Sequence, residues 1–132
     1  MALAHARVFE RSVAPSLRKG ATLWFLHASS VHFKLLTPPA GADVILVAPH
    51  APGGAVREEY LGHRSLSAFF GIAQNKSGSA AKTARTMAAA IGVRPKNLIK
   101  TSFAQEAVGD LFGEQAVLCG GLAMLITSGF DT

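Results

Sequence analysis

Between Gln115 and Gly129 the chain carries no charged residue, and Leu111, Phe112, Val117, Leu118, Leu122, Met124, Leu125 and Ile126 would surround a helix axis on every side. Leu111 to Ile126 therefore reads as a buried helix, interrupted at Gly120-Gly121. Each fully buried Leu or Ile is worth about 1.5–3 kcal/mol, so exposing even three would forfeit a stability comparable to that of a small domain. A small sheet covers one side of such a helix only. A homo-oligomer, or assembly with a complementing chain, is the expected outcome.

The rest of the chain supplies that sheet. Ala2 to Val8 can form a short helix, and Ser12 to Gly20 connects it to the apolar run Thr22 to Leu26, a strand candidate. Val31 to Leu36 follows and is stopped by Pro38-Pro39. Asp43 to Ala48 is short, aliphatic and β-branched between Gly41 and Pro49, which predicts a buried parallel strand. Pro49 to Gly54, with two prolines and two glycines, is a loop at its carboxyl end. Leu66 to Ala73 gives a third strand. From Ser79 the spacing turns helical, with Ala84, Met87, Ala88 and Ile91 on one face and Gly92 with Pro95 ending the helix. Asn97 to Thr101 is a fourth strand. Strands alternating with loops and a helix predict an α/β fold with a mainly parallel sheet, flanking helices and the buried helix at its end.

At 132 residues the chain is one domain by length. It is 49% hydrophobic and 16% charged, which excludes disorder. The net charge of +5 comes from dispersed basic residues in no run longer than two, so no nucleic-acid platform is expected. Cys119 stands alone in an apolar run, which excludes an internal disulfide and predicts an inert core thiol in a reducing cytoplasm. Met1 to Arg11 lacks the apolar segment of a signal peptide. It resembles an organellar transit sequence only in bearing arginine, and an organellar address stays open. No stretch is expected to reach the roughly 18 apolar residues of a membrane span.

Asp110 and Glu114 lie four apart at the head of the apolar helix, one turn from each other on one face. Two carboxylates so placed can hold a hard divalent cation through oxygen. They can equally offset the helix dipole, with Asp110 as N-cap. A capping box is excluded, because Gly113 occupies the position its acid would need.

The run Asp110-Leu111-Phe112-Gly113-Glu114-Gln115-Ala116-Val117-Leu118-Cys119-Gly120-Gly121 resembles the signature of the ketol-acid reductoisomerases. Thr101-Ser102-Phe103 followed by Glu106 is similar to that family's approach to the motif. Val44 to Arg57, VILVAPHAPGGAVR, is similar to its strand and Ala-Pro-Lys-x-Pro-Gly-His-x-Val-Arg loop. Lys19 to Leu23 with His27 resembles its strand and Ala-His-Gly turn. The match runs in order from about Phe9 to Thr132.

The resemblance implies an NADPH- and magnesium-dependent enzyme converting acetohydroxy acids to 2,3-dihydroxy acids in branched-chain amino-acid synthesis. Residues 1–103 would be the second half of its NADP-binding Rossmann-like domain, and 104–132 the first helix of its knotted helical domain. It implies Asp110 and Glu114 as metal ligands, His27 as a catalytic and nicotinamide-side group, and Pro49 on the cofactor side. His50 stands where the family has its active-site Lys and supplies no permanent ammonium. Ala28-Ser29 replaces Gly-Phe, Gly54 replaces the loop His, and Val108 replaces an acid. There is no G-x-G-x-x-G pyrophosphate cradle, and the family's other metal-binding carboxylates would lie beyond Thr132. The expectation is a reductoisomerase homologue that is inactive alone; a non-catalytic remnant or a binding module is the alternative.

Overall fold

The computed structural model describes residues 2–131. Helix α1 (Ala2–Val8) runs into a wide π turn (Phe9–Val13) and a 3-10 turn (Ala14–Ser16) before strand β1 (Thr22–Phe25) and the short helix α2 (Ser29–His32). Strand β2 (Asp43–Pro49), helix α3 (Gly53–Leu61), strand β3 (Ala68–Gln74), helix α4 (Ala80–Ala90) and strand β4 (Leu98–Lys100) complete the layer. Helix α5 (Phe103–Leu111), a π segment (Phe112–Leu118) and helix α6 (Gly121–Phe130) follow.

The sheet order is β1-β2-β3-β4. β1 is parallel to β2 and β3 to β4, but β2 and β3 are antiparallel, so the sheet is mixed. The reason lies in α3, which buries none of its residues. It does not cross back over the sheet, so β3 starts at the edge where β2 stops and Pro49 pairs with Ala68. The Pro-Gly stretch expected as a loop gives way at Gly53 to this helix, which has no apolar face to mark it in the sequence.

β2 explains why its sequence is aliphatic without alternation: it is covered on both faces. Ile45 and Val47 pack with Phe70 against Ala80, Ala84 and Ala88 of α4, with Met87 and Ile91 at the margin. Val44, Leu46 and Ala48 pack on the other face with Ala28, Phe103 and Ala107. The helical face expected from Ala84, Met87, Ala88 and Ile91 is the one the sheet receives. Gly71 is where the backbones close up, since a Cβ there would stand 2.9 Å from the carbonyl oxygen of Thr101. At the start of β2, the buried Asp43 accepts hydrogen bonds from the amides of Lys76 and Ser77 and from the Ser77 hydroxyl. These tie β2 to the turn that launches α4 and hold the Asp43 carboxyl below the usual carboxylate range, the Ser77 hydroxyl contributing most.

Three expectations about the C-terminal segment change. α5 begins seven residues before Asp110, with a capping box in which Ser102 accepts from the Gln105 amide and the Gln105 side chain accepts from the Ser102 amide. Asp110 is therefore not an N-cap. The helix expected to be buried is uncovered within this chain: Phe112, Leu118, Met124, Leu125 and Phe130 are all exposed, and so is the Cys119 thiol. The four-stranded layer spends its second face on α5 as far as Ala107 and has nothing left beyond it. Finally, the helix continues through the carboxylates and the glycine pair. Phe103–Phe130 reaches 28 residues, long and apolar enough by length and composition to cross a membrane.

Candidate metal and cofactor site

Because β1 and β2 are parallel, their carboxyl ends share one edge of the sheet, the edge at which open α/β folds gather ligands. His27 lies just past β1, and Pro49 and His50 end β2. Helix α5 packs across the neighbouring face through Phe103 and Ala107. One turn along from Phe103, this brings Glu106 under the β1–α2 turn.

Glu106 is the centre of the arrangement. It is buried, with one carboxylate oxygen accepting from the Ala28 amide at 2.8 Å and the other 3.2 Å from His27 Nδ1. Asp110, one turn further along α5, places Oδ2 3.3 Å from the same nitrogen. His27 and Asp110 keep 37% and 38% of their side chains exposed, so the cluster opens to solvent on one side. A buried carboxylate without partners would cost several kcal/mol, and the Ala28 amide and the imidazole meet that demand here.

Other residues singled out in the sequence lie elsewhere. His50 is exposed, contacts the Ser67 hydroxyl through Nδ1 at 2.9 Å and stands edge-on to Phe69 at 4.1 Å between ring centres. These partners lie at the start of β3 and just before it, not at His27. Pro49 is half-buried in the β2–β3 pairing. Glu114 is exposed and is not part of the His27–Glu106–Asp110 group, whose ligand atoms lie within 4.8 Å of one another. Directly after Leu111 the helix widens into the π segment, where the Cys119 amide bonds the Glu114 carbonyl five residues back. Such a turn shifts Glu114 around the axis from the position an α-helix would give it. At the exit of that segment a Cβ on Gly120 or Gly121 would collide with the carbonyl oxygens of Gln115 and Ala116, so the glycine pair fits the widened turn.

Sequence reading noticed Glu106 only as part of a motif and gave it no role. The signal was present: Glu106, Asp110 and Glu114 form an i, i+4 ladder, and the first rung is the buried one. For a magnesium ion the solvent-open Asp110 is a suitable oxygen donor, while the imidazole nitrogen is not a magnesium ligand. In such a site His27 would serve as a hydrogen-bond partner of Asp110.

A Rossmann-like α/β layer of four mixed strands feeding a carboxylate-bearing helix defines the class, an α/β domain with a helical extension. Residues 3–96 match the family model of the acetohydroxy acid isomeroreductase NADPH-binding domain, and residues 103–132 that of the ketol-acid reductoisomerase C-terminal domain. The chain belongs to the ketol-acid reductoisomerase family. It is 48% identical over 124 residues to a ketol-acid reductoisomerase (NADP(+)) of Pyrobaculum calidifontis, covering 94% of this chain and 38% of that protein. With the Xanthomonas axonopodis pv. citri protein of the same name it is 45% identical over 125 residues, 95% of this chain and 38% of the relative. A solved NADH-preferring ketol-acid reductoisomerase from an uncultured archaeon superposes with a TM-score of 0.92 at 38% identity, over 98% of this chain and 39% of that one. A semialdehyde dehydrogenase NAD-binding protein of Cupriavidus necator shares the fold, with a TM-score of 0.68 at 18% identity. The chain thus spans well under half the length of its curated relatives.

Proposed function

We propose that this chain supplies one part of a ketol-acid reductoisomerase site, the NADPH- and magnesium-dependent conversion of acetohydroxy acids to 2,3-dihydroxy acids in branched-chain amino-acid synthesis, and that it does not turn over alone. The observation that carries this is the meeting of His27, from the end of β1, with Glu106 and Asp110 of α5. Residues from the two family-matched segments converge there on one solvent-open edge. Residues 1–103 contribute the cofactor-side half and 104–132 the start of the helical domain.

Asp110 would hold the magnesium, with Glu114 as a further oxygen donor one turn on. When bound, the ion polarises the ketone and hydroxyl of the substrate. The chain's own residues do the positioning: Glu106 fixes the β1–α2 turn through the Ala28 amide and orients the imidazole, and His27 would offer its other nitrogen, Nε2, to the cofactor or substrate. Without a Gly-rich pyrophosphate cradle, the chain alone should bind NADPH no tighter than about millimolar. His50 should not be what limits turnover, so His50→Lys should restore none.

The exposed apolar helix supports assembly into a homo-oligomer or with a complementing chain. Acetolactate reduction assayed on the purified chain, with and without a chain supplying the remaining family segments, tests the proposal. Turnover only in the mixture, lost in Asp110→Asn, is expected. Turnover by the chain alone, or micromolar NADPH binding to it by calorimetry, would refute the claim of incompleteness; no turnover in the mixture would favour a non-catalytic remnant.

A further inference from the structure

The structure assigns His27, Glu106 and Asp110 a second capability: a one-nitrogen, two-oxygen site for a borderline transition-metal dication such as Zn²⁺ or Co²⁺, separate from any magnesium held by Asp110 with Glu114. It shares Asp110 with the proposed reductoisomerase site but does not rest on that activity.

Geometry carries the inference. With metal–ligand bonds of about 2.0–2.2 Å, two donors on one ion stand on the order of 3.0–3.4 Å apart in tetrahedral or octahedral coordination. His27 Nδ1 lies 3.2 Å from Glu106 Oε1 and 3.3 Å from Asp110 Oδ2, and all three ligand atoms fall within 4.8 Å of each other. An ion among them would take the place of the imidazole proton on Nδ1, with the remaining proton on Nε2 and the Nδ1 lone pair facing the carboxylates. Glu106 is 5% exposed and anchored by the Ala28 amide through its second oxygen, leaving Oε1 aimed at the group. That anchor is the outer-shell bond that metal-binding carboxylates commonly make. The open side leaves room for water as the remaining ligand.

Donor chemistry selects the ion. Imidazole suits zinc, cobalt and nickel, while magnesium takes oxygen donors in near-ideal octahedra and keeps its waters. The two sites therefore share Asp110 and differ in the rest, His27 and Glu106 against Glu114.

The test is a titration of the purified 132-residue chain with Co²⁺, followed by its visible absorption and by the paramagnetically shifted imidazole proton resonance, with Zn²⁺ calorimetry alongside. His27→Asn keeps a hydrogen-bond donor where Nδ1–H was and removes the nitrogen ligand; its fold is checked by far-UV circular dichroism. Losing an outer-shell partner alone costs 10–100-fold in metal affinity, so loss of a ligand should weaken binding by at least about tenfold. The same loss is expected in Asp110→Asn, with no change in Glu114→Gln or His50→Asn. Undiminished cobalt binding in a folded His27→Asn chain, loss of binding in Glu114→Gln, or no cobalt binding by the parent would overturn the assignment. Absence of turnover in the complemented enzyme would sink the functional proposal and leave this site untouched.

Discussion

The centres of β2 and α6 are alike in apolar composition and opposite in burial. Val44, Ile45, Leu46 and Val47 are all fully buried, whereas Leu122, Met124, Leu125 and Ile126 are between 49% and 72% exposed. The stretches 44–47 and 122–126 are both uncharged and apolar. What separates them is supply: β2 sits between α4 on one face and α2 with α5 on the other, and among the described residues the side chains of α6 are left exposed. An apolar run therefore states a demand for cover, and where the cover comes from is a separate matter. In the one case it comes from helices elsewhere in the same chain; in the other none of the described residues supplies it.

The contrast is broken most directly by placing the same charge in each region. Leu46→Asp puts a carboxylate between two packed faces, and unpaired buried charge costs several kcal/mol, enough to prevent folding of a domain this size. Loss of the far-UV dichroism and of cooperative melting is expected. If Leu46→Asp melts like the parent, β2 is not the centre of the core.

Gly71→Ala comes next. Its Cβ would press on the Thr101 carbonyl, backbone that yields only if β4 and the start of α5 shift, for a cost of about 1–3 kcal/mol. Chemical denaturation should show a lower midpoint with an unchanged slope. An unaltered midpoint would mean that the β3–α5 junction is loose and belongs with the exposed region.

Acid should then act on the sheet side first. The folded-state pKa of Asp43 is depressed, chiefly by the Ser77 hydroxyl, so its contribution is present above the unfolded value of about 3.9 and disappears as pH falls through the folded one. The parent should lose melting temperature below about pH 4, and Asp43→Asn should lack that component of the acid dependence. Parallel acid curves for the two chains would remove Asp43 from the account.

Leu125→Asp should have the smallest effect on folding, within about 0.5 kcal/mol as for other exposed sites, while shifting sedimentation toward monomer. Leu118→Asp should do the same. Unfolding by either variant would mean that the helix is already covered, and a monomeric parent at tens of micromolar with no exposed apolar patch by dye binding would mean the same.

Much of this was legible in the residues. The β-branched run Asp43–Ala48 between Gly41 and Pro49 could be little but a doubly covered strand, and the Ala84, Met87, Ala88 and Ile91 spacing places α4 and its buried face. The run from Asp110 to Gly121 carried the family resemblance, since a dozen contiguous residues constrain far more than periodicity does. The antiparallel turn at β3 was not legible, because nothing in the period-two pattern of a strand records its direction. It follows from where α3 lies. The partners of Asp110 were not legible either. Spacing pairs it equally with Glu106 and Glu114, and the choice is made by the β1–α2 turn, which delivers the Ala28 amide and His27 from about eighty residues away in sequence. Local order follows from neighbours along the chain and could be read there; strand direction, the composition of the site and the exposure of α6 depend on contacts between distant segments, which only the folded chain brings together.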